Sequence, residues 1–187
     1  MASSYSADLK LELMATGEKS GLWGDITNTN LNILQQAIAG YEEVSIAGGA
    51  QTTALVFSNG LVSNGKNAVI KFTGTITGNQ TVTIPDSIEK TYTIINGTTG
   101  AFTVQFKTVS GTGFTFAAAD KGTRLAYADG TNVVDVNAAF TTISQFTLPA
   151  ADGTSGQAIV TNGSGTLSFA QAGISTGKAI AMAIVFG

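Results

Sequence analysis

Residues 102–108, FTVQFKT, carry the clearest fold signal in this chain. Phe102, Val104 and Phe106 alternate with polar residues, which is the period-two pattern of a strand with one buried face. Short β-branched and aromatic runs recur on both sides of it. The predicted strands are Thr53–Phe57, Ala68–Thr73, Thr81–Ile84, Thr91–Ile95, Phe102–Thr108, Phe114–Ala117, Thr123–Tyr127 and Val133–Val136. The sequence therefore predicts a mainly β protein, with a β-sandwich or jelly-roll-like domain over residues 44–140.

Turn dipeptides separate these strands. Asn64-Gly65, Gly78-Asn79, Asn96-Gly97 and Asp129-Gly130 all accept a positive φ at low cost. Their regular recurrence supports the division of the β-domain into short strands, and no long internal repeat is evident in the sequence.

The N-terminal residues 1–43 are predicted to form a separate strand-helix module. Residues Tyr5–Leu13 alternate apolar and polar side chains, which favours a half-buried strand. A helix is predicted from Thr27 to Ala39, because Leu31, Leu34 and Ile38 fall at i, i+3 and i+7. Trp23, just upstream, is the expected anchor of that helix, since its ring can bury a large apolar area.

The ends of this helix are predicted from their capping residues. Asp25, Thr27 and Asn28 are the candidate N-caps, because their side-chain oxygens accept hydrogen bonds from free amides of a first turn. Gly40 stands where a left-handed C-cap is expected.

Residues 141–187 are predicted to form a glycine-rich linker and hairpin followed by an apolar strand. The hairpin pairs Gln157–Thr161 with Thr166–Ala170. In the strand, Ile180, Met182, Ile184 and Phe186 share one face, and the other face is also apolar, so both faces need cover. Two interpretations stay open: a strand that inserts into a neighbouring subunit, and a central strand of its own domain.

The composition excludes several kinds of chemistry. The chain has no histidine, no cysteine and one arginine, Arg124, with a net charge of −3. These counts exclude disulfides and thiolate zinc sites, and they disfavour nucleic-acid binding, which needs several cations to neutralise phosphates. We expect no cofactor. We also expect no membrane insertion, because the longest apolar run is well short of the roughly 20 residues of a spanning helix.

Acidic residues offer two candidate sites, each with a simpler explanation. Glu42-Glu43 is the adjacent acid pair, but neighbours on a strand point to opposite faces, so glycoside hydrolysis is not expected of it. Asp129, Asn132 and Asp135 could offer oxygen ligands to calcium. An Asp-Gly turn and a solvated aspartate explain the same residues without metal, and we expect a protein that is not an enzyme.

Three segments, in this order, resemble tail-fibre and related virion proteins of marine and freshwater bacteriophages. The first is residues 16–31, with the pattern T-G-x-x-S-G-x-W-G-x-x-T-N-x-N-L. The second is 127–134, YADGTNVV, and the third is 148–157, LPAADGTSGQ, followed by GTLSF at 165–169. Together they span most of the chain, although a long repetitive shaft, a large receptor-binding tip and a C-terminal self-cleaving chaperone domain are not recognisable in it.

The resemblance implies a homotrimeric virion structural protein, made in the host cytoplasm and located at the tail. Its N-terminal module, with Trp23, Leu31, Leu34 and Ile38, would attach it to a tail adaptor or nozzle. The apolar C-terminal strand would join the subunits. Two alternatives remain: a capsid decoration or head-fibre protein bound to the shell, and a carbohydrate-binding β-sandwich with a host-surface glycan as its partner.

Overall fold

A computed structural model describes residues 3–136, 142–143, 146–171 and 184–185. The chain divides into two compact units, Met1–Asn137 and Ala138–Gly187. The described residues are mainly β, with one long helix, as the sequence predicted.

The first unit contains two larger sheets. Their strands are β3 Tyr41–Ser45, β4 Gln51–Ala54, β5 Val69–Thr73, β6 Gln80–Ile84, β7 Glu89–Asn96, β8 Val104–Thr108, β9 Gly113–Phe116, β10 Thr123–Asp129 and β11 Val133–Asp135. One sheet has the order β11-β10-β7-β5-β3 and the other the order β4-β6-β8-β9, so that β3 to β8 alternate between the sheets along the chain. The predicted sandwich-like domain is confirmed, and the predicted strands overlap β4 to β11.

The connectivity of the sandwich was not predicted. β3, β5 and β7 pair in parallel, and β4, β6 and β8 pair in parallel in the other sheet. Each crossover between parallel strands thus contains a strand of the opposite sheet, where α/β proteins usually place a helix. The chain therefore winds through successive coils, each contributing one strand to each layer.

Antiparallel strands close this coiled part. β8 and β9 form a hairpin, and β10 pairs with both β7 and β11. The backbone N–H of Val133 donates to the Thr112 carbonyl, 2.9 Å away, and so joins the two sheets at this side. The predicted Asp129-Gly130 turn forms the β10–β11 hairpin, with Gly130 at φ 85°.

The core lies between the two sheets and is apolar. Phe72 and Tyr92 from one sheet meet Phe106 of the other, with ring centroids 5.9 and 5.6 Å apart. Phe102 lies outside β8 and is partly exposed, so its predicted inward position is wrong. The strand begins two residues later, at Val104, and buries Val104, Phe106 and Thr108.

Glycines at the corners of the coils allow successive coils to stack closely. Gly48 and Gly100 have φ of 109° and 105°, and Gly48 bridges to Ile76 of the next coil. A Cβ on Gly100 would overlap the carbonyl oxygen of Ile76, whereas a Cβ on Gly48 would meet nothing within 4 Å. Backbone conformation favours glycine at both positions. Of these two, close packing excludes a side chain only at Gly100.

Gly100→Ala is expected to lower the free energy of unfolding by about 2 kcal/mol or more, and Gly48→Ala by about 1 kcal/mol. Both substitutions place alanine at positive φ, but only the first also forces the Ile76 backbone to move. Urea unfolding of the two variants measures the difference. Equal losses would contradict the close approach of Gly100 to the Ile76 backbone.

The N-terminal strand prediction is wrong. Residues Ser4–Tyr5 (β1) and Glu12–Leu13 (β2) form a tight antiparallel hairpin, and the chain reverses between them. Ser6 causes part of this reversal, because its hydroxyl accepts a hydrogen bond from the Leu11 N–H. The Glu89 N–H donates to Asp8, which ties the hairpin to β7.

The described residues of the second unit form two short hairpins. β12 Thr142–Ile143 pairs with β13 Phe146–Thr147. β14 Gln157–Thr161 pairs with β15 Leu167–Gln171, which confirms the predicted hairpin. All five β14 residues are exposed, so the hairpin has little core of its own.

Candidate interaction surface on the N-terminal helix

Helix α1 spans Trp23–Ala39 and begins earlier than the sequence predicted. The N-cap residue is Leu22, which makes no side-chain cap, so the predicted caps Asp25, Thr27 and Asn28 are wrong. A turn with Gly21 at φ 82° precedes the helix, which therefore begins at Trp23, before all three predicted caps. Asp25 instead lies in the first turn, where its charge favours the helix dipole.

Gly40 ends the helix for a different reason from the one predicted. Its φ of −71° and ψ of 140° are extended, so it is not a left-handed cap. A Cβ at this position would overlap the Gln36 carbonyl oxygen and the Asn67 side chain. The absence of a side chain lets the chain pass directly from α1 into β3.

One face of α1 is held against the rest of its own unit. Ile33 is fully buried, and Ile26 and Ala37 are half-buried beside it. The Gln36 carbonyl accepts from the N–H of Ala68 at 3.2 Å, and the Gln36 side-chain oxygen accepts from the N–H of Ser63 at 3.2 Å. These contacts fix the C-terminal half of α1 to the loop that precedes β5.

The N-terminal hairpin is attached to the same helix by Asn30. The Asn30 side-chain nitrogen donates to the Glu12 carbonyl at 2.9 Å, and its side-chain oxygen accepts from the Glu12 N–H at 3.0 Å. Asn30 therefore completes both backbone hydrogen bonds of Glu12, as a neighbouring strand would.

The adjacent face of α1 is apolar and open. Trp23, Leu31, Leu34 and Ile38 are 66%, 56%, 36% and 80% exposed. At about 100° per residue these side chains fall within an arc of roughly 80°, centred roughly 100° from the face formed by Ile26, Ile33 and Ala37. We call these four residues the open face of α1.

The open face coincides with the residues that the sequence analysis selected for attachment. The expectation that Trp23 anchors the helix is wrong, because the residue is 66% exposed. Ile33 anchors α1 instead, and it was not among the predicted site residues. Its signal was the spacing of Ile26, Ile33 and Ala37 at i, i+7 and i+11, which competes with the Leu31, Leu34 and Ile38 spacing on the same helix.

A cleft of about 340 Å³ lies beside this face, at the end of the helix. Amide side chains line it, including Asn32 and Gln35, together with the half-exposed Tyr41. The Tyr41 hydroxyl donates to Glu43 at 2.6 Å, and Glu43 pairs with Lys71 at 2.9 Å. The lining is uncharged, so it could hydrogen-bond a neutral polar ligand.

The proposed C-terminal interface is mostly outside the described residues. Three of its four residues, Ile180, Met182 and Phe186, lie outside the described part of the chain. Ile184 has helical backbone and an exposed side chain, so the predicted strand is wrong at this residue. Helical dihedrals bring successive residues onto different sides of the chain, which removes the two-faced alternation there.

The acidic candidates have structural partners. The Asp129 carboxylate accepts from the N–H groups of Asn132 and Thr131 at 2.6 and 2.9 Å, and these hydrogen bonds close the β10–β11 turn and lower the pKa of Asp129. The Asn132 oxygen accepts from Thr112, and Asp135 pairs with Arg124. Among the described residues, no three acidic, histidine or cysteine side chains are grouped as a metal site would require.

Two lysines are buried in the first unit. The Lys66 ammonium donates to the carbonyls of Ser58 and Leu61 at 2.6 Å, and the Lys90 ammonium donates to the Asn67 carbonyl at 3.0 Å. Lys90 also lies 4.3 Å from the centre of the Tyr92 ring. Loss of solvation lowers the pKa of each lysine to about 8, because burial disfavours the charged form.

Because of these two lysines, we expect the free energy of unfolding to rise with pH above about 8. Between the folded pKa of about 8 and the ordinary value of 10.5, the unfolded chain holds protons that the folded chain has released. Stability therefore increases over this window. Burial raises the pKa of Tyr92, so its ionisation in the unfolded chain opposes the effect above about pH 10.

Urea unfolding at pH 7.5 and pH 9.5 measures this effect. We expect a larger free energy of unfolding at pH 9.5, and a smaller increase in Lys90→Met. A stability that stays level or falls between these pH values would show that the two ammonium groups are not desolvated in the folded chain.

No family model, curated protein or solved structure matches this chain. Within the described part of the chain, no helix is both long and apolar enough to cross a membrane.

Proposed function

We propose that this chain is a non-enzymatic structural protein of a bacteriophage particle, a tail fibre or tail-associated fibre that acts through its N-terminal module. The observation that carries the proposal is the open face of α1. A helix that is already held by Ile33 and Gln36 has no need of a second apolar face for its own folding. Such a face is typical of a surface that another protein covers.

Sequence and structure support this role together. The resemblance to tail-fibre proteins is carried in part by Trp23 and Leu31, and both belong to the open face. The two-layer β domain behind the helix forms a compact body that does not depend on these residues for its core. On this proposal the body is a rigid support, and the helix meets other subunits of the particle, a tail adaptor or nozzle among them.

The test is detection of this chain in purified phage particles. Quantitative mass spectrometry is expected to find it at structural copy number, and gold-labelled antibody is expected to mark the tail. Label over the icosahedral shell would replace the tail location with capsid decoration. No label on particles whose tail and shell are both accessible would contradict a virion role.

The amide-lined cleft favours carbohydrate binding as a second candidate function. Its volume of about 340 Å³ lies in the range of ligand sites, and the side chains of Asn32 and Gln35 make no hydrogen bond within the described structure. A glycan array with the full chain tests this function. Binding that disappears in Gln35→Ala, while thermal stability is unchanged, would support it, and an array without signal would remove it.

A further inference from the structure

Three residues of the open face, together with Thr27, have the spacing of a helix–helix seam. The half-buried Thr27 and the exposed Leu31, Leu34 and Ile38 are separated by four, three and four residues, which are the d-a-d-a positions of a heptad pattern. A partner that fits this spacing is another helix, because alternating steps of four and three keep a seam in contact with a helical neighbour. Trp23 falls outside this register.

The charges on α1 permit an identical partner. Asp25 is the one charged residue of the helix, and it lies in the first turn. Exposed Asn28 and Gln35 flank the seam with neutral amides, which can donate to and accept from each other. Copies of the face can therefore meet without repulsion between like charges.

The helix is also fixed before it meets a partner. A free peptide of 17 residues would be a marginal helix in water. Here Ile33, Gln36 and Asn30 hold α1 to its own unit, so little backbone order has to be gained on association. A seam of about 16 Å between residues 27 and 38 can then be effective although it is short.

We propose that copies of this chain associate through α1, with Leu31, Leu34 and Ile38 packed against the same residues of the neighbouring copies. This inference rests on the proposed function in that it names the partner that covers most of the open face. Trp23, at the start of the helix and outside the seam, remains for contact with a different subunit of the particle.

The experiment measures the mass of the full chain in solution by sedimentation velocity and light scattering. The wild type is expected at a multiple of 19.0 kDa. Ile38→Lys is expected at the monomer mass, with a dissociation constant raised by at least about 100-fold. Asn32→Lys is the matched control, since it adds the same charge to an exposed position of the same helix outside the seam, and it is expected to keep the wild-type mass.

A monomeric wild type at about 100 μM would overturn the inference, and so would an Ile38→Lys variant that keeps the wild-type mass. Circular dichroism and thermal unfolding check that the variants fold. Trp23→Ala is expected to keep the wild-type mass, and its dissociation would overturn the assignment of Trp23 to another partner.

The outcomes for this inference and for the proposed function can be told apart. A monomeric chain that is nevertheless present in labelled particles would leave the virion role intact and assign the open face to another protein. An oligomer that depends on Ile38, together with particles that carry no label, would retain the seam and contradict the virion role.

Discussion

Phe106→Ala is expected to lower the free energy of unfolding by about 4 to 5 kcal/mol, the upper part of the range for buried phenylalanines. The Phe106 ring is fully buried and pairs with Phe72, Tyr92 and Phe114, with centroid distances of 5.9, 5.6 and 6.0 Å. It connects the two sheets, so its removal leaves a cavity at the point where the layers meet. Urea unfolding of the full chain measures the loss.

Phe102→Ala is the matched control for this prediction. Phe102 lies four residues upstream, outside β8, and is 36% exposed. We expect it to cost less than half as much. Phe106→Leu keeps most of the volume and allows the measurement if the alanine variant does not fold. Equal losses for the two alanine variants would contradict the placement of Phe106 at the centre of the core.

Ile33→Ala is expected to lower the free energy of unfolding by about 3 kcal/mol, and Ile38→Ala to lower it by less than about 0.5 kcal/mol in dilute solution. The two residues are of the same type on the same helix, but Ile33 is 0% and Ile38 is 80% exposed. Removing Ile33 leaves a cavity under α1, whereas Ile38 has few contacts within its own chain to lose.

Protein concentration separates the two effects further. The loss for Ile33→Ala is expected to be independent of concentration, because it arises within one chain. The loss for Ile38→Ala is expected to grow with concentration as copies associate. A large, concentration-independent loss for Ile38→Ala would mean that the open face is part of the core of the single chain.

Strand positions could be predicted from the sequence because alternation is a local property. Val104 and Phe106 face the core whichever strand lies next to theirs, so the pattern of β8 is visible in its own residues. The parallel coils were not predicted, because pairing depends on segments distant in sequence. Val69 pairs with Thr93 and Gln80 with Val104 at the same sequence offset, but the paired residues share little identity.

The turn dipeptides predicted where the chain changes direction, but they did not predict which sheet the next strand joins. Asp129-Gly130 returns the chain beside its own strand, whereas Asn96-Gly97 leads from a strand of one sheet towards β8 of the other. Both dipeptides accept positive φ, and neither specifies which sheet the next strand joins.

The candidate surface was predicted in part. The spacing of Leu31, Leu34 and Ile38 identified a helix and an apolar face, and the helix is present. The sequence could not show that Ile33 would take the buried position, because α1 has two apolar arcs and tertiary packing chooses between them. The use of the open face by a partner remains a prediction.

Oxidative footprinting of α1 in purified particles shows whether the open face is covered. We predict that Leu34 and Ile38 are modified much more slowly in the particle than in the Asn28→Lys, Leu31→Lys double variant. This variant is expected to be monomeric because it places two positive charges at the seam, and its fold is checked by circular dichroism. Val134, which is 47% exposed on the β domain, provides the internal reference. Modification of Leu34 and Ile38 at the same rate in both samples, relative to Val134, would show that nothing covers the open face and that α1 is not an interface in the particle.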